Sequence, residues 1–382
     1  MIMTDIAVVG GGPAGSACAA LLARDHDVTV FEEHPRIGVP VQCAGLISDA
    51  VIRLSGTSPS FLSTVYGAEA VFPDGTVVEV RSNKPKARVV DRSEMDSLIA
   101  ARAMDAGAEY RMSERVKAVG VADRITLEHT SGTSIADLVI GADGPASVVA
   151  SSIGNNAPSE MIRGIQADVR VEMDRQDMFR MHLGNEFAPG FFAWEIPCGD
   201  FTRVGLCTSW SAGPPAGYLK HLLSRLGYSD KIIGMSCGRI PVGRRRTMSA
   251  ERMMLIGDAA SQVKPISGGG IYPSMVAAPL LADVASSAIR EGDCSAKRLG
   301  EYDRLFAASV GKELRNGARI RRWFVRMDDR DLNRAGRYSS RPDVRAVLDT
   351  MEIDDPVTVI PRLLRHPLVG ARGIYTLMRC LL

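Results

Sequence analysis

The chain contains no Cys-x-x-Cys pair. Its seven cysteines, Cys18, Cys43, Cys198, Cys207, Cys237, Cys294 and Cys380, follow no regular spacing. An odd, unpaired set argues against a disulfide framework and against a zinc site, and points to a reducing cytosol. There is no charge excess: Lys+Arg 46 stand against Asp+Glu 44, so a general polyanion partner such as nucleic acid is not expected. No basic segment precedes the first apolar run, which argues against a signal peptide. No apolar run reaches the roughly 20 residues of a membrane span. The expectation is a cytoplasmic protein, soluble or peripheral at a membrane. Internal repeats and low-complexity stretches are absent. The six histidines, His26, His34, His129, His182, His221 and His366, are scattered and form no catalytic constellation, which counts against histidine acid–base chemistry.

What is present begins at the first strand. Ile6 to Val9 is apolar and runs into Gly10-Gly11-Gly12-Pro13-Ala14-Gly15, then a helical stretch to Arg24, a second apolar run Val28–Phe31, and Glu32. Strand, glycine turn, helix, strand and acid is the order a dinucleotide requires. Gly10 permits the tight turn, Gly12 admits a pyrophosphate to the backbone, and Gly15 lets helix and strand pack closely. The helix N-terminus points its amides at the phosphates. Glu32 suits a ribose 2′-hydroxyl and disfavours a 2′-phosphate.

At 382 residues the chain can form two core-bearing units. Alternating apolar residues around Asp74-Gly75 predict a β-hairpin within residues 65–90. Asp91 to Ala106 reads as a helix, 109–141 as short strands, and 160–250 as an antiparallel sheet. Met253–Ile256 reads as a buried strand, followed by a helix from Ile271 to Arg290, and the remainder is mostly helical and arginine-rich. The expected fold class is α/β, mixed with α+β. A discontinuous Rossmann-like domain takes residues 1–60, 90–155 and 250–295. Residues 61–89 and 156–249 form an inserted antiparallel-sheet substrate domain, and 296–382 a helical C-terminal region.

Two further motifs sit at strand ends. Gly141-Ala142-Asp143-Gly144, with Ser147 behind it, follows the strand 136–140; Gly257-Asp258-Ala259-Ala260 follows the strand 253–256. Ligands of open α/β sheets bind at that edge, and an aspartate there suits a ribityl hydroxyl. Pro265 and Ser267-Gly268-Gly269-Gly270-Ile271 then open the next helix with bare backbone amides. Together these motifs resemble the flavoproteins of para-hydroxybenzoate-hydroxylase fold, the match running from residue 6 to 271 and including Asp91-Arg92. The resemblance implies one FAD. It places Gly10, Gly12, Ala14 and Gly15 on the pyrophosphate, Glu32 on the ribose, Arg92 near the pyrophosphate–ribityl part and Val116 near the adenine. Asp258 falls on the ribityl chain, and Gly270 and Ile271 near the isoalloxazine. With no second strand–GxGxxG–helix unit, the flavin is expected to be reduced by a transient donor, a ferredoxin or NAD(P)H.

Pro40-Val41-Gln42-Cys43-Ala44-Gly45 resembles the PVxC segment of geranylgeranyl reductases. Phe192-Ala193-Trp194-Glu195-Ile196-Pro197 with Gly205-Leu206-Cys207 resembles that family's Y-x-W-x-F-P…G-x-G segment, with Phe192, Ile196 and Cys207 as departures. The family saturates carbon–carbon double bonds of prenyl chains. The resemblance implies an FAD-dependent reductase of membrane-lipid biosynthesis acting on a prenylated lipid, by hydride from flavin N5 plus a proton. Cys43, Ala44 and Gly45 are then expected beside the flavin, with Cys43 as proton donor or redox thiol. Phe192, Trp194, Pro197 and Gly205 are expected at the substrate, in a dry apolar tunnel. An aromatic monooxygenase of the same fold, a prenyl reductase of a quinone or chlorophyll precursor, and a non-catalytic FAD-containing lipid carrier are the alternatives. Lys312, Arg315, Arg319, Arg321, Arg322 and Arg326 crowd one helix, either a solvated face or a contact with anionic lipid. Arg244-Arg245-Arg246 is either a charged turn or a contact for an acidic electron donor. The apolar Leu377, Met378, Leu381 and Leu382 either touch lipid or cap a core.

Overall fold

A computed structural model describes residues 2–154 and 157–354. His366, Cys380 and the apolar terminal leucines lie outside the described residues. The first strand, Ile2–Val9, is central to the larger sheet, pairing in parallel with Gly132–Gly141 on one side and Val28–Phe31 on the other. Its side chains alternate. Ile6 and Val8 meet the helices Pro13–Leu22, Arg92–Asp105 and Ile271–Glu291. Ala7 and Val9 meet the antiparallel pair Val116–Val121 and Ile125–His129 and the short helix Val148–Ser152. A stretch covered on both faces is apolar on both, which is why Ile6–Val9 shows no alternation. Met253–Leu255 joins in parallel beside Gly132–Gly141, and Glu109–Arg111 closes the far edge. The strand ends carrying the three glycine motifs therefore share one edge of one sheet.

The second sheet has seven strands in the order Ile232–Val242, Glu160–Val169, Thr202–Ser209, Phe192–Pro197, Met178–Leu183, Gly67–Val71 and Val77–Arg81. It is antiparallel except where Met178–Leu183 runs parallel to Gly67–Val71, because the hairpin around Asp74-Gly75 is recruited from much earlier in the chain. A third, three-stranded sheet of Leu46–Ile47, Ala87–Val90 and Phe61–Val65 lies outside the sequence expectation. So does the helix Ala216–Leu226, whose Leu219, Leu222 and Leu223 cover one face of the second sheet against Val204 and Leu206. The opposite face presents Phe192, Trp194 and Cys207.

Residues 296–348 are helical as expected, in four helices: Ala296–Ser309, Gly311–Phe324, Asp329–Ser339 and Pro342–Leu348. The first packs Leu299, Tyr302 and Phe306 into the core beneath the larger sheet. Tyr302 is fully buried, and its hydroxyl accepts a hydrogen bond from Gln262 Nε2 at 2.6 Å, while Gln262 Oε1 accepts from Gly257 N at 2.8 Å. One amide thus ties the C-terminal helices to the Gly257-Asp258 turn. The later helices clasp the second sheet. Gly336 packs directly under the Phe72 ring, where a side chain would clash, and Leu332 joins Phe72 and Val78. Among the described residues no helix is long and apolar enough to cross a membrane.

Candidate functional site

One cleft of about 890 Å³ runs from the glycine edge of the larger sheet, under the second sheet, to the third. At its polar end the three glycines of the first turn do three different things. Gly10 has φ +102°, and a Cβ there would collide with the Ala142 carbonyl. A Cβ on Gly15 would collide with the Gly10 carbonyl, so its absence lets the helix lie against the turn. A Cβ on Gly12 would meet no protein atom within 4 Å; the open space before its backbone lies in the cleft. Pro13 supplies the first helical position, where no amide partner is required.

Glu32 is buried at the end of the second strand. Its Oε2 accepts from Gly11 N at 2.8 Å, and its Oε1 accepts from His34 N at 2.9 Å and lies 2.6 Å from His34 Nδ1. A carboxylate accepts about four hydrogen bonds, so capacity remains toward the cleft. Val116 is buried and lines the same end. Asp143 fixes the helix Val148–Ser152 through Oδ2, which accepts from Val148 N at 2.7 Å. Its Oδ1 is buried and has no partner among the described residues, and burial raises the carboxyl's pKa.

Asp91 caps the helix Arg92–Asp105, accepting from Ser93 N at 2.8 Å, and so sets Arg92 at the first turn, facing inward. The Arg92 guanidinium donates to Asp96 at 2.9 and 3.0 Å and lies beside Cys43. Burial opposes its charge, but Asp96 and Cys43 outweigh that and hold its pKa above the usual value. The Asp258 carboxyl faces the cleft and bonds to no described residue, while its backbone carbonyl accepts from Ser261 N at 3.0 Å. Desolvation pushes its pKa up to about 6, against a lowering by Arg92. Gly270 packs beside Asp258 Oδ1, too close for a Cβ, and Ile271 begins the 21-residue helix whose free N-terminal amides open on the cleft.

The Pro40–Gly45 segment crosses between the two sheets. The Cys43 carbonyl accepts from Gln166 Nε2 at 3.1 Å and the Ala44 carbonyl from Arg203 Nη1 at 3.1 Å; Arg203 is itself held by Asp168 at 2.7 Å. Gly45, at φ +79°, hydrogen-bonds through its carbonyl to Val90 N at 3.0 Å. Cys43 and Ala44 therefore line the cleft where its polar and apolar arms meet, and Gly45 turns the chain behind them.

The apolar arm is walled by the second sheet. Phe191 and Phe192 stack at 4.5 Å, and Phe192 meets Trp194 edge-on at 6.1 Å. Trp194 lines the arm, and its buried Nε1 has no partner among the described residues. Two expected contact residues stand behind this wall instead of on it. Gly205 lies under the Trp194 ring, where any side chain would collide, and the buried Pro197 accepts from Ser63 Oγ at 2.6 Å through its carbonyl. Arg321, expected on the exposed basic face, is buried: it donates to Glu160 at 2.5 and 2.8 Å and lies over the Phe191 ring at 5.4 Å. Lys312, Arg315, Arg319 and Arg322 are exposed on one face of the helix, at alternating three- and four-residue steps, and Arg326 is exposed just beyond its end. Arg245 is likewise buried, beside Asp143, between the exposed Arg244 and Arg246.

Several cleft residues lay outside the sequence reading: His34, Lys86, Gln166, Lys264, and the segment Met351–Ile353. Lys264 had a local signal, since it stands between the Gly257-Asp258 and Gly268–Gly270 motifs. Among the described residues no group of three or more His, Cys, Asp or Glu is placed to hold a metal ion.

The cofactor end fits FAD on the structure's own terms: an open cradle before Gly12, the Asp258 carboxyl and a half-satisfied buried Asp143 along one edge, and a bare helix N-terminus at the end. One Rossmann-like sheet with a second sheet roofing the cleft defines the para-hydroxybenzoate-hydroxylase class of flavoprotein fold. The comparisons agree. Residues 8–46 match the family model described as "NAD(P)-binding Rossmann-like domain". The chain is 33% identical to digeranylgeranylglycerophospholipid reductase 2 of Methanococcoides burtonii over 349 residues, covering 86% of each chain. It is 32% identical to the digeranylgeranylglycerophospholipid reductase of Methanothrix thermoacetophila, covering 86% of this chain and 90% of that one. Among solved structures, a geranylgeranyl bacteriochlorophyll reductase-like protein of Thermoplasma acidophilum superposes with a TM-score of 0.86 at 23% identity, covering 98% of this chain and 100% of that one. The chain belongs to the digeranylgeranylglycerophospholipid reductase family.

Proposed function

We propose that the protein is an FAD-dependent reductase that saturates carbon–carbon double bonds in the geranylgeranyl chains of a membrane lipid. The observation that carries this is the continuity of a single cleft from the glycine turn to an aromatic, apolar arm, with Cys43 and Arg92 at the junction. An isolated alkene offers no carbonyl for hydrogen bonds to polarise. Its site must instead exclude water and hold the chain flat against the hydride source, and Phe191, Phe192 and Trp194 do both. When bound, FAD supplies the hydride.

The residues proposed to hold FAD follow the geometry. Gly10, Gly12, Ala14 and Gly15 with the helix N-terminus take the pyrophosphate, Glu32 the ribose, and Val116 the adenine. Arg92 and Asp258 take the ribityl–pyrophosphate region. Cys43, Ala44, Gly270 and Ile271 face the isoalloxazine, with Gly45 shaping the turn. Cys43 Sγ is the proposed proton-holding group, and Arg92 beside it is placed to balance the charge left when that proton moves. Phe192 and Trp194 contact the prenyl chain, with Gly205 and Pro197 supporting them.

The electron donor, a ferredoxin or NAD(P)H, is proposed to bind transiently. The exposed stripe of Lys312, Arg315, Arg319 and Arg322 is proposed to rest on an anionic lipid surface, each basic residue contributing about 1 kcal/mol near such a surface. A flotation assay with anionic vesicles tests this: Arg315→Glu with Arg319→Glu should abolish co-flotation. For the reductase itself, the test is reoxidation of the dithionite-reduced, FAD-loaded protein by a geranylgeranyl lipid without oxygen. Return of the oxidised flavin spectrum is expected; a flavin that stays reduced would overturn the proposal.

A further inference from the structure

Lys264 stands in the turn between the Gly257-Asp258 motif and the helix Ile271–Glu291, and the backbone of that turn fixes it. Its N–H donates to the Gly269 carbonyl at 3.1 Å, and its carbonyl accepts from Gly268 N at 2.9 Å. The side chain therefore lies along Gly269, where an added Cβ would stand 3.1 Å from Lys264 Cε and 3.7 Å from Nζ. It lines the cleft, yet is only 9% exposed. A cation so far out of water needs compensation. The segment after the last described helix supplies it: Nζ donates to the Ile353 carbonyl at 2.9 Å and to Asp354 Oδ1 at 3.2 Å. Ile353 belongs to the same apolar cluster as Ala44 and Trp194, so the pair sits where the two arms of the cleft meet. An ammonium has three N–H donors. Two are taken, and no described residue accepts from the third. The amides at the N-terminus of the helix Ile271–Glu291 add positive potential at the same place.

We propose that Lys264 is a redox-tuning residue, whose ammonium stabilises the reduced flavin in its anionic form, with Asp354 as the counter-charge that limits the effect. The inference rests on the placement of the isoalloxazine beside Cys43, Ala44, Gly270 and Ile271 given above. Uptake of two electrons and one proton leaves the flavin with one negative charge more than the oxidised ring. A neighbouring cation favours that state. The anionic ring also becomes neutral oxidised flavin when it gives up a hydride, so no further proton has to leave it. The proton for the second alkene carbon comes separately, from Cys43 Sγ. The glycines of the turn bring only backbone dipoles to this end of the cleft; Lys264 brings a full charge.

The two-electron midpoint potential of the bound FAD, measured without substrate by anaerobic dithionite titration against reference dyes, tests the proposal. In Lys264→Met the ratio of reduced to oxidised flavin at a fixed potential should fall about tenfold, a midpoint lower by about 30 mV. In Asp354→Asn the same ratio should rise about threefold, a midpoint higher by about 15 mV. The opposite signs separate charge from packing. A fall in both variants overturns the proposal and makes the pair a structural tie. An unchanged midpoint in Lys264→Met, with a visible flavin spectrum that Cys43→Ser does alter, overturns the proposal while the placement of the isoalloxazine stands. If neither Lys264→Met nor Cys43→Ser changes spectrum or midpoint, that placement fails and takes the inference with it. Where Lys264→Met does not retain FAD, Asp354→Asn decides: a raised midpoint sustains the proposal, and an unchanged one overturns it.

Discussion

A methyl group added at Gly10 runs into the Ala142 carbonyl on a backbone already at φ +102°, whereas one added at Gly12 meets no protein atom. The two substitutions should therefore fail differently. Gly10→Ala should destabilise the protein by about 3 kcal/mol, from strain and overpacking, seen as a lowered urea midpoint. Gly12→Ala should leave the midpoint of the FAD-free protein unchanged and weaken FAD binding roughly tenfold or more, seen by flavin titration. Equal loss of stability in both would mean that Gly12 serves packing. Asp258 makes a second residue-scale prediction. Its carboxyl has a folded pKa of about 6, raised from 3.8 by burial. The folded protein holds this proton after the unfolded chain has released it, so stability is lost as pH rises through that window. Relative to Asp258→Asn, the FAD-free wild type should lose urea resistance between about pH 4 and pH 6.5; parallel profiles would remove the burial argument. These glycines and this aspartate were legible in the sequence because hard sterics and strand-edge position dictate them locally.

At the scale of elements, legibility followed length and pattern. The buried strands are apolar runs, the helix 92–105 carries the Asp91 cap, and the helices 13–22 and 271–291 follow glycine turns; all stand within a few residues of expectation. The two-residue strand Leu46–Ile47 is too short to carry a period. The helix Ala216–Leu226 did carry one, in Leu219, Leu222 and Leu223, but it sits inside a stretch whose turn residues suggested strands throughout. The basic helix shows a different limit. Charge along the sequence cannot separate Arg321, buried on Glu160 and Phe191, from its exposed neighbours, because a single-residue step of about 100° around the helix decides it. The joint between C-terminal helices and cofactor turn is testable here. Tyr302→Phe leaves Gln262 Nε2 without its 2.6 Å partner in a buried setting. The expected cost is about 1–2 kcal/mol in chemical denaturation. No change would mean the amide finds another acceptor.

Across the whole molecule, the cleft depends on contacts the sequence does not place side by side. Lys86 reaches Glu352 across 266 positions and Lys264 reaches Asp354 across 90. Gln166 holds the Cys43 carbonyl across 123. Motif spacing located the cofactor end, but the side of the cleft that Met351–Ile353 lines exists only once the last described helices return the chain to it. Trp194 and Gly205 show the same effect at shorter range: both belong to one segment, yet one forms the wall and the other makes room for it. The proposed reductase delivers two hydrogens to an alkene across this composite cleft. Mass spectrometry of a geranylgeranyl lipid after incubation with the reduced, FAD-loaded protein under anaerobic conditions tests it most directly. A gain of two hydrogens for each double bond saturated is predicted; an unchanged lipid, or a gain of oxygen when air is admitted, would contradict it.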